Sequence, residues 1–297
     1  MGEAVAQANS TTARDRLGVW LRFYVGRSLA LDKETARLSH WSARARRHFL
    51  ASKTRALPRL QMGRTASVRA GDITFRATSP LDLGSFQSCL ADVHDMIVVP
   101  RVLKGSAAPV VVDVGANVGQ FALALKAFVP DGRILSIEPD PQTFAKLADN
   151  LACVPDAKAV CAAVGDRRGV LPLHRHDVSL MATLRPSEVE TYDPEDTVEV
   201  DVLPLDALTA DLPQIDLLKI DVEGYEREAL LGATDTLRRT RHLLIEIGLG
   251  RDIAGSNLEV LALVREAVPT ARIVRFGRPL GSTGDPICQD VLIALAD

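Results

Sequence analysis

Four groups of residues in this 297-residue chain have types and spacings that can do chemistry. The first is Asp113-Val114-Gly115-Ala116-Asn117-Val118-Gly119, directly after the β-branched run Val110–Val112. A strand that enters such a turn and continues as a helix presents backbone N–H groups and a helix N-terminus to a ligand. Two common nucleotide loops are excluded by spacing. A dinucleotide turn reads G-x-G-x-x-G, and here Asn117 and Gln120 stand where its second and third glycines belong. A P-loop needs Lys and then Ser or Thr after its last glycine, and Gly119 is followed by Gln120 and Phe121. The turn therefore suits a ligand without phosphate. Asp113 can answer a positive group, and Gly115 and Gly119 allow close approach of the backbone.

The second group is Glu138-Pro139 in ILSIEPDP, with Glu138 placed 23 residues after Gly115. An acid at that distance meets ribose hydroxyls in doubly wound sheets. The third is the end of KAVCAAVGD, where Val164 can hold an aromatic base and Asp166 can accept from an exocyclic amine; a plain Gly-Asp turn fits equally well. The fourth is IDLLKIDVEGY, in which Lys219, Asp221 and Glu223 alternate at the exit of an apolar strand, together with Glu246 in HLLIEIG. Charges at a buried strand end are costly unless paired or used. Asp221 and Glu246, on neighbouring strands, can bind a divalent cation, or one can act as general base. His174 and His176 are rival bases with a better-matched pKa, and His94 is a third.

The D-x-G-x-N-x-G turn resembles motif I of class I S-adenosylmethionine-dependent methyltransferases. With IEPDP, the pair Asn150-Leu151, KIDVEGYEREALLGA and LIEI, the chain resembles the FkbM family of methyltransferases over about residues 85–250. The resemblance implies methyl transfer from S-adenosylmethionine to a hydroxyl of a saccharide or of a polyketide- or lipid-type natural product. It carries cofactor binding to Asp113, Gly115, Asn117, Gly119 and Glu138; Val114, Ala116, Pro139, Val164 and Asp166 complete the expected cofactor set. It implies active-site roles for Lys219, Asp221, Glu223 and Glu246, with His176 as the histidine alternative. It also suggests Mg2+ on Asp221 and Glu246.

The elements that must position these groups follow from periodicity. From residue 110, strands are expected at 110–114, 133–138, 158–164, 215–220 and 242–247, and helices near 119–128, 141–151, 225–239 and 257–267. Arg272–Phe276 and Asp290–Leu295 read as strands joined by the turn-rich GRPLGSTGDP. Alternating βα units imply a parallel sheet with helices on both faces. The antiparallel close implies an α/β, Rossmann-like, seven-stranded methyltransferase sheet. The insertion at about 165–212 leaves the third strand at the ligand edge and is placed to shape a substrate pocket. Three regions are expected: a basic helical extension at 1–60, an entry or cap segment at 61–109 that covers the cleft, and the methyltransferase domain at 110–297. TASVRAGDITFRA at 65–77 reads as a hairpin turning at Ala70-Gly71.

Residues 1–60 hold twelve Lys or Arg against four Asp or Glu, whereas the rest holds 23 against 34. The basic segment, with Trp20, Phe23, Tyr24, Leu31, Leu38, Trp41 and Phe49, suits docking on the body, on a second copy in a homodimer, or on a membrane surface; no nucleic-acid partner is expected. A non-catalytic scaffold that binds the cofactor and docks through this helix is the alternative from another class. Scattered cysteines and the lack of an apolar leader predict a cytoplasmic protein without disulfides or structural zinc.

Overall fold

A computed structural model describes residues 32–33, 35–38, 40–175, 182–184, 196–248, 257–282 and 285–296. Trp20, Phe23, Tyr24, Leu31 and His176 lie outside the described residues. The first elements are helix α1 (Ala43–Gln61), the hairpin β1 (Ala66–Ala70) and β2 (Ile73–Ala77), and helix α2 (Pro80–Val93), which runs into a π-helical turn at His94–Val98. Ala70 pairs with Ile73, so the hairpin turns at Gly71-Asp72, one residue later than expected, with Gly71 at φ +64°. Helix α2 starts on a capping box: Ser79 accepts from the Asp82 N–H, and Asp82 accepts from the Ser79 N–H.

The alternating part follows: β3 (Val110–Val114), α3 (Gln120–Phe128), β4 (Arg133–Ile137), α4 (Pro141–Leu151), β5 (Ala157–Val160), β6 (Ala163–Val164), β7 (Gly169–His174), β8 (Thr197–Leu203), α5 (Leu205–Leu208) and β9 (Ile215–Ile220). It closes with α6 (Glu226–Leu231), α7 (Thr234–Arg238), β10 (Thr240–Gly248), α8 (Asn257–Ala267), β11 (Arg272–Ser282) and β12 (Asp285–Ala294). Seven strands form one sheet in the order β11-β12-β10-β9-β3-β4-β5. Strands β3, β4, β5, β9 and β10 are parallel, and β12 is antiparallel to both of its neighbours. This is the Rossmann-like methyltransferase sheet.

Three expected elements differ in extent. The 158–164 strand divides: β5 stays in the large sheet, while β6 pairs with β8 in a separate sheet of order β6-β8-β7. The 225–239 helix breaks between α6 and α7 at Gly232, where a Cβ would stand 2.0 Å from the Gly165 carbonyl oxygen. Strands β11 and β12 continue through most of the turn-rich segment, with register shifts along their ladder.

Parity along the strands decides which face meets which helices. Val111, Leu217, Leu244 and Leu292 share a core with Phe49, Phe75, Phe86 and Leu123 from α1, the hairpin, α2 and α3. Val112, Leu218, Leu243 and Val291 point the other way, into a core with Leu230, Leu237 and Val264. Toward the strand exits the first face changes from apolar to charged, through Asp113, Lys219, Asp221, Glu246 and Asp290.

Asn150, at the end of α4, fastens the hairpin to the glycine turn. Its Oδ1 accepts from the Arg76 N–H at 2.9 Å, and its Nδ2 donates to the carbonyls of Arg76 at 3.1 Å and Val118 at 2.8 Å. Replacement by Ala leaves three backbone groups without these partners. Asn150→Ala is expected to lower stability by about 2–3 kcal/mol, read as a shift in the denaturation midpoint at unchanged m-value.

Candidate active site

The glycine turn is built by local backbone chemistry. Asn117 lies in the left-handed region at φ +47°, which Asn tolerates better than most residues. Its Oδ1 accepts from the Val118 N–H at 2.8 Å and from Gln120 Nε2 at 3.1 Å. Gly115 and Gly119, at φ +80° and +91°, are required by the protein itself. A Cβ on Gly115 would lie 1.7 Å from the Asp221 carbonyl oxygen, and one on Gly119 would lie 3.1 Å from Leu147 Cδ1. The protein's own packing therefore demands glycine at both positions, and Gly115 also lines the cleft described next.

A cleft of about 670 Å³, counting its open mouth, runs along the carboxyl ends of β3, β4 and β9. Val114, Gly115, Asn117, Glu138, Pro139 and Val164 of the expected cofactor set line it. Ala116 is buried in the helix-side core. Asp166 is exposed, lies 3.6 Å from Arg167 and is not among the residues that line the cleft. The apolar wall at that end is Ala162, Ala163 and Val164, continued by Leu173, Ala182 and Leu184 from the insertion. No described residue of the 61–109 segment lines this cleft. The hairpin and α2 pack instead beside α3 and α4, because their apolar sides complete the core on that face.

Glu138 is 6% exposed. One carboxylate oxygen accepts from the Asn117 N–H at 2.9 Å and the other from the Asp140 N–H at 3.0 Å. Burial pushes its pKa up to about 7, against the pull of these two donors. The carboxylate thus bridges the first and second strand-end loops and keeps further lone pairs for a ligand.

At the exits of β9 and β10 the charged face converges. Lys219, 9% exposed, donates to Asp221 Oδ2 at 2.8 Å, lies 3.9 Å from Asp113 Oδ1, and stands over the Phe121 ring. Burial alone would lower its pKa, but Asp221 and Asp113 more than reverse this and keep it an ammonium. Asp113 is fully buried, and neither of its oxygens accepts a hydrogen bond among the described residues. Burial raises its pKa to about 6, with Lys219 opposing. Asp221 and Glu223 line the cleft, whereas Lys219 and Glu246 sit behind it. Carboxylate oxygens of Asp221, Glu223 and Glu246 lie within 4.8 Å of one another. Burial and Asp221 push Glu246 up to about 8, and it accepts from the Cys288 thiol at 3.1 Å. Glu223 holds a left-handed conformation at φ +50°. Its carbonyl accepts from Thr183 Oγ1 at 2.7 Å, and Glu226 Oε1 accepts from the N–H groups of Val222 and Gly224.

Of the histidines, His174 ends β7, with its ring Nδ1 3.5 Å from Thr197 Oγ1. His94 is buried, 2.8 Å from Asp95. Neither lines the cleft. Sequence reasoning missed Asp290, Thr183 and Tyr225. Asp290 faces Glu246 across the antiparallel ladder, where burial raises its pKa to about 6. Its signal was an acid at the start of the apolar run VLIALA. Tyr225 lines the cleft directly after the KIDVEG segment.

Residues 113–268 match the model of the methyltransferase FkbM domain. The 2-O-methyltransferase NoeI of Sinorhizobium fredii is 25% identical over 197 residues, covering 61% of this chain and 79% of that protein. The 31-O-demethyl-FK506 methyltransferase FkbM of Streptomyces tacrolimicus is 32% identical over 187 residues, covering 52% of this chain and 70% of that protein. Aeropyrum pernix fibrillarin, crystallised with S-adenosyl-L-methionine, aligns at 13% identity and a TM-score of 0.41, over 66% of this chain and 74% of that one. With its glycine turn, KIDVEG strand exit and sheet order all in place, this chain belongs to the FkbM family of class I S-adenosylmethionine-dependent methyltransferases.

Proposed function

We propose that the protein methylates a hydroxyl group of a saccharide or of a polyketide- or lipid-type natural product. The observation that carries the reading is the meeting of three carboxylates, Asp221, Glu223 and Glu246, at the end of the cleft that Glu138 enters from the other side. The residues present fit the cofactor. Glu138 has acceptor capacity for ribose hydroxyls, and Ala162–Val164 form an apolar wall for adenine. When bound, S-adenosylmethionine supplies a methyl carbon made electrophilic by its sulfonium.

The chain's own residues must then align an acceptor oxygen and remove its proton. Asp221 faces the cleft, with the Lys219 ammonium 2.8 Å away. Asp221 would accept the proton of the acceptor hydroxyl, leaving an oxygen lone pair for the methyl carbon, whose bond to sulfur would break with its electron pair going to sulfur. Glu246 backs Asp221 from the next strand. Mg2+ fits the same three carboxylates, where it would make the acceptor hydroxyl more acidic.

Calorimetry with S-adenosylhomocysteine and S-adenosylmethionine, with and without magnesium, tests the reading. Wild type is expected to bind both, and Glu138→Ala to bind roughly 10–100-fold more weakly, since two or more hydrogen bonds to a buried charge are lost. Asp221→Asn is expected to keep cofactor affinity while abolishing methyl transfer to a panel of saccharides and hydroxylated natural products. Absence of cofactor binding by wild type would overturn the assignment and favour the non-catalytic scaffold.

The N-terminal part supports a partner reading as well. Arg44, Arg47, Arg55, Arg59, Arg64, Arg69 and Arg76 are exposed on α1, the hairpin and their connection, and Asp72 is the only acid between residues 43 and 76. Such a face suits an anionic membrane surface. No described helix is long and apolar enough to cross a membrane. Co-sedimentation with anionic vesicles is expected at low salt and is expected to be lost at high salt; equal binding to neutral vesicles would exclude an electrostatic contact.

A further inference from the structure

Arg175, at the base of the insertion, is joined to the cofactor cleft by a short chain of contacts. Its Nε and Nη2 both donate to Asp140 Oδ1, at 3.1 and 2.6 Å, and its side chain is only 17% exposed. Asp140 is the N-cap of α4: Oδ1 also accepts from the Gln142 N–H, and Oδ2 accepts from Thr143 Oγ1. The backbone N–H of the same Asp140 donates to Glu138 Oε1 at 3.0 Å. On its other side Arg175 closes the insertion, through its N–H to the Asp196 carbonyl at 3.0 Å and through Nη1 to the Asp196 carboxylate at 3.5 Å. One side chain therefore ties the insertion to the residue that orients the cleft carboxylate.

Resting on the cofactor assignment above, we propose that Arg175 is a positioning residue for ribose recognition: it holds Asp140, and through its backbone N–H the Glu138 carboxylate, in the orientation that reads the ribose hydroxyls. The arrangement has a physical reason. Among the described residues Glu138 is held by two backbone donors, one from each of two loops. The loop that supplies Asp140 leaves a strand and enters a helix within three residues. A planar guanidinium placing two donors on one carboxylate oxygen restricts that cap more than a lysine can. The same contact brings β7, and with it Leu173 of the cleft wall, against the cofactor end. Ribose recognition and insertion placement are thus set by one residue.

The test compares calorimetric affinities for S-adenosylhomocysteine and its 2′-deoxy analogue in wild type, Arg175→Gln, Arg175→Lys and Asp140→Asn. Asn is a good N-cap, so Asp140→Asn keeps the helix start and the backbone N–H while removing the anion that Arg175 grips. Wild type is expected to prefer the ribose form about tenfold or more, the value of one hydrogen bond to a charged acceptor. Arg175→Gln and Asp140→Asn are each expected to reduce that preference to near unity, and Arg175→Lys is expected to restore part of it. Should the variants lose affinity for both compounds in equal proportion, or keep the wild-type preference, the proposal is overturned and Arg175 merely supports the fold. If wild type binds neither compound, the cofactor assignment itself fails, and with it the proposal. A failure of Arg175→Gln to fold leaves Asp140→Asn and Arg175→Lys to decide.

Discussion

Gly115→Ala is expected to yield a protein that does not fold stably and does not bind S-adenosylhomocysteine. Two independent costs coincide at this residue. Its φ of +80° is strained for any residue with a Cβ. The added carbon would also stand 1.7 Å from the Asp221 carbonyl oxygen and 2.8 Å from its carbonyl carbon, both backbone atoms. A flexible side chain can swing aside; the exit of a central strand cannot. That strand is held by parallel pairing on both sides, including the Asp221 N–H to the Val114 carbonyl at 3.1 Å. Relief requires β3 and β9 to separate where cofactor motif and acid cluster meet. A loss above about 4 kcal/mol is expected, measured by chemical denaturation, with cofactor binding followed in parallel. Gly71→Ala is the control. It shares a positive φ, at +64°, but nothing lies within 4 Å of its added carbon, so it should lose only the modest strain term. Equal stability for wild type and Gly115→Ala would sink the account.

Lys219→Met is expected to destabilise the protein by about 3–5 kcal/mol near neutral pH, because it leaves buried carboxylates without their cation. The loss is expected to depend on pH in a definite direction. Asp113 already has its pKa raised to about 6 by burial, and Lys219 opposes that rise. Without the lysine the folded-state pKa climbs further above the unfolded value. An acid with a raised folded pKa favours the folded state most when it is protonated, at low pH. Its charge penalises folding as pH rises from the unfolded pKa, near 4, through the folded one. The deficit relative to wild type should therefore shrink toward pH 5 and grow toward pH 8. Asp113→Asn combined with Lys219→Met should recover part of it, since the double variant removes both charges. Denaturant midpoints at pH 5, 6.5 and 8 for wild type, both single variants and the double variant provide the check. A deficit that is flat with pH would mean that Lys219 contributes by packing over Phe121 rather than by charge.

The sequence was most readable where the physics is local. Periodicity placed β3, β4 and β9 within a residue of their positions, because a buried parallel strand needs a continuous apolar run whatever its neighbours are. The helix from residue 141 and the glycine turn were visible for the same reason: helix starts and positive φ are set by residues a few positions apart. Readings that depended on partners far along the chain fared differently. Helix 225–239 has no internal breaker signal strong enough to predict its interruption at Gly232. That break comes from the approach of the Gly165 carbonyl, more than sixty residues earlier. After Lys158 the 158–164 run is apolar, and nothing in it says that Val164 pairs with Leu203 rather than with the large sheet.

Within the site the same division holds. The sequence by itself determined the chemical groups: a glycine turn unsuited to phosphate, an acid at ribose distance, and alternating charges at a strand exit. Those follow from residue type and short spacing, and they were enough to point to the family. Tertiary structure alone decided how the groups are used. Strand register set Asp113 beside Lys219 and Glu246 opposite Asp290, because side-chain parity selects a common face only once neighbouring strands are aligned. Chain crossing made Gly115 and Gly119 packing positions, and the folding back of the insertion brought Arg175 to Asp140 and Thr183 to Glu223. Contacts between distant segments depend on the whole arrangement of the sheet, and no local pattern of residues encodes them.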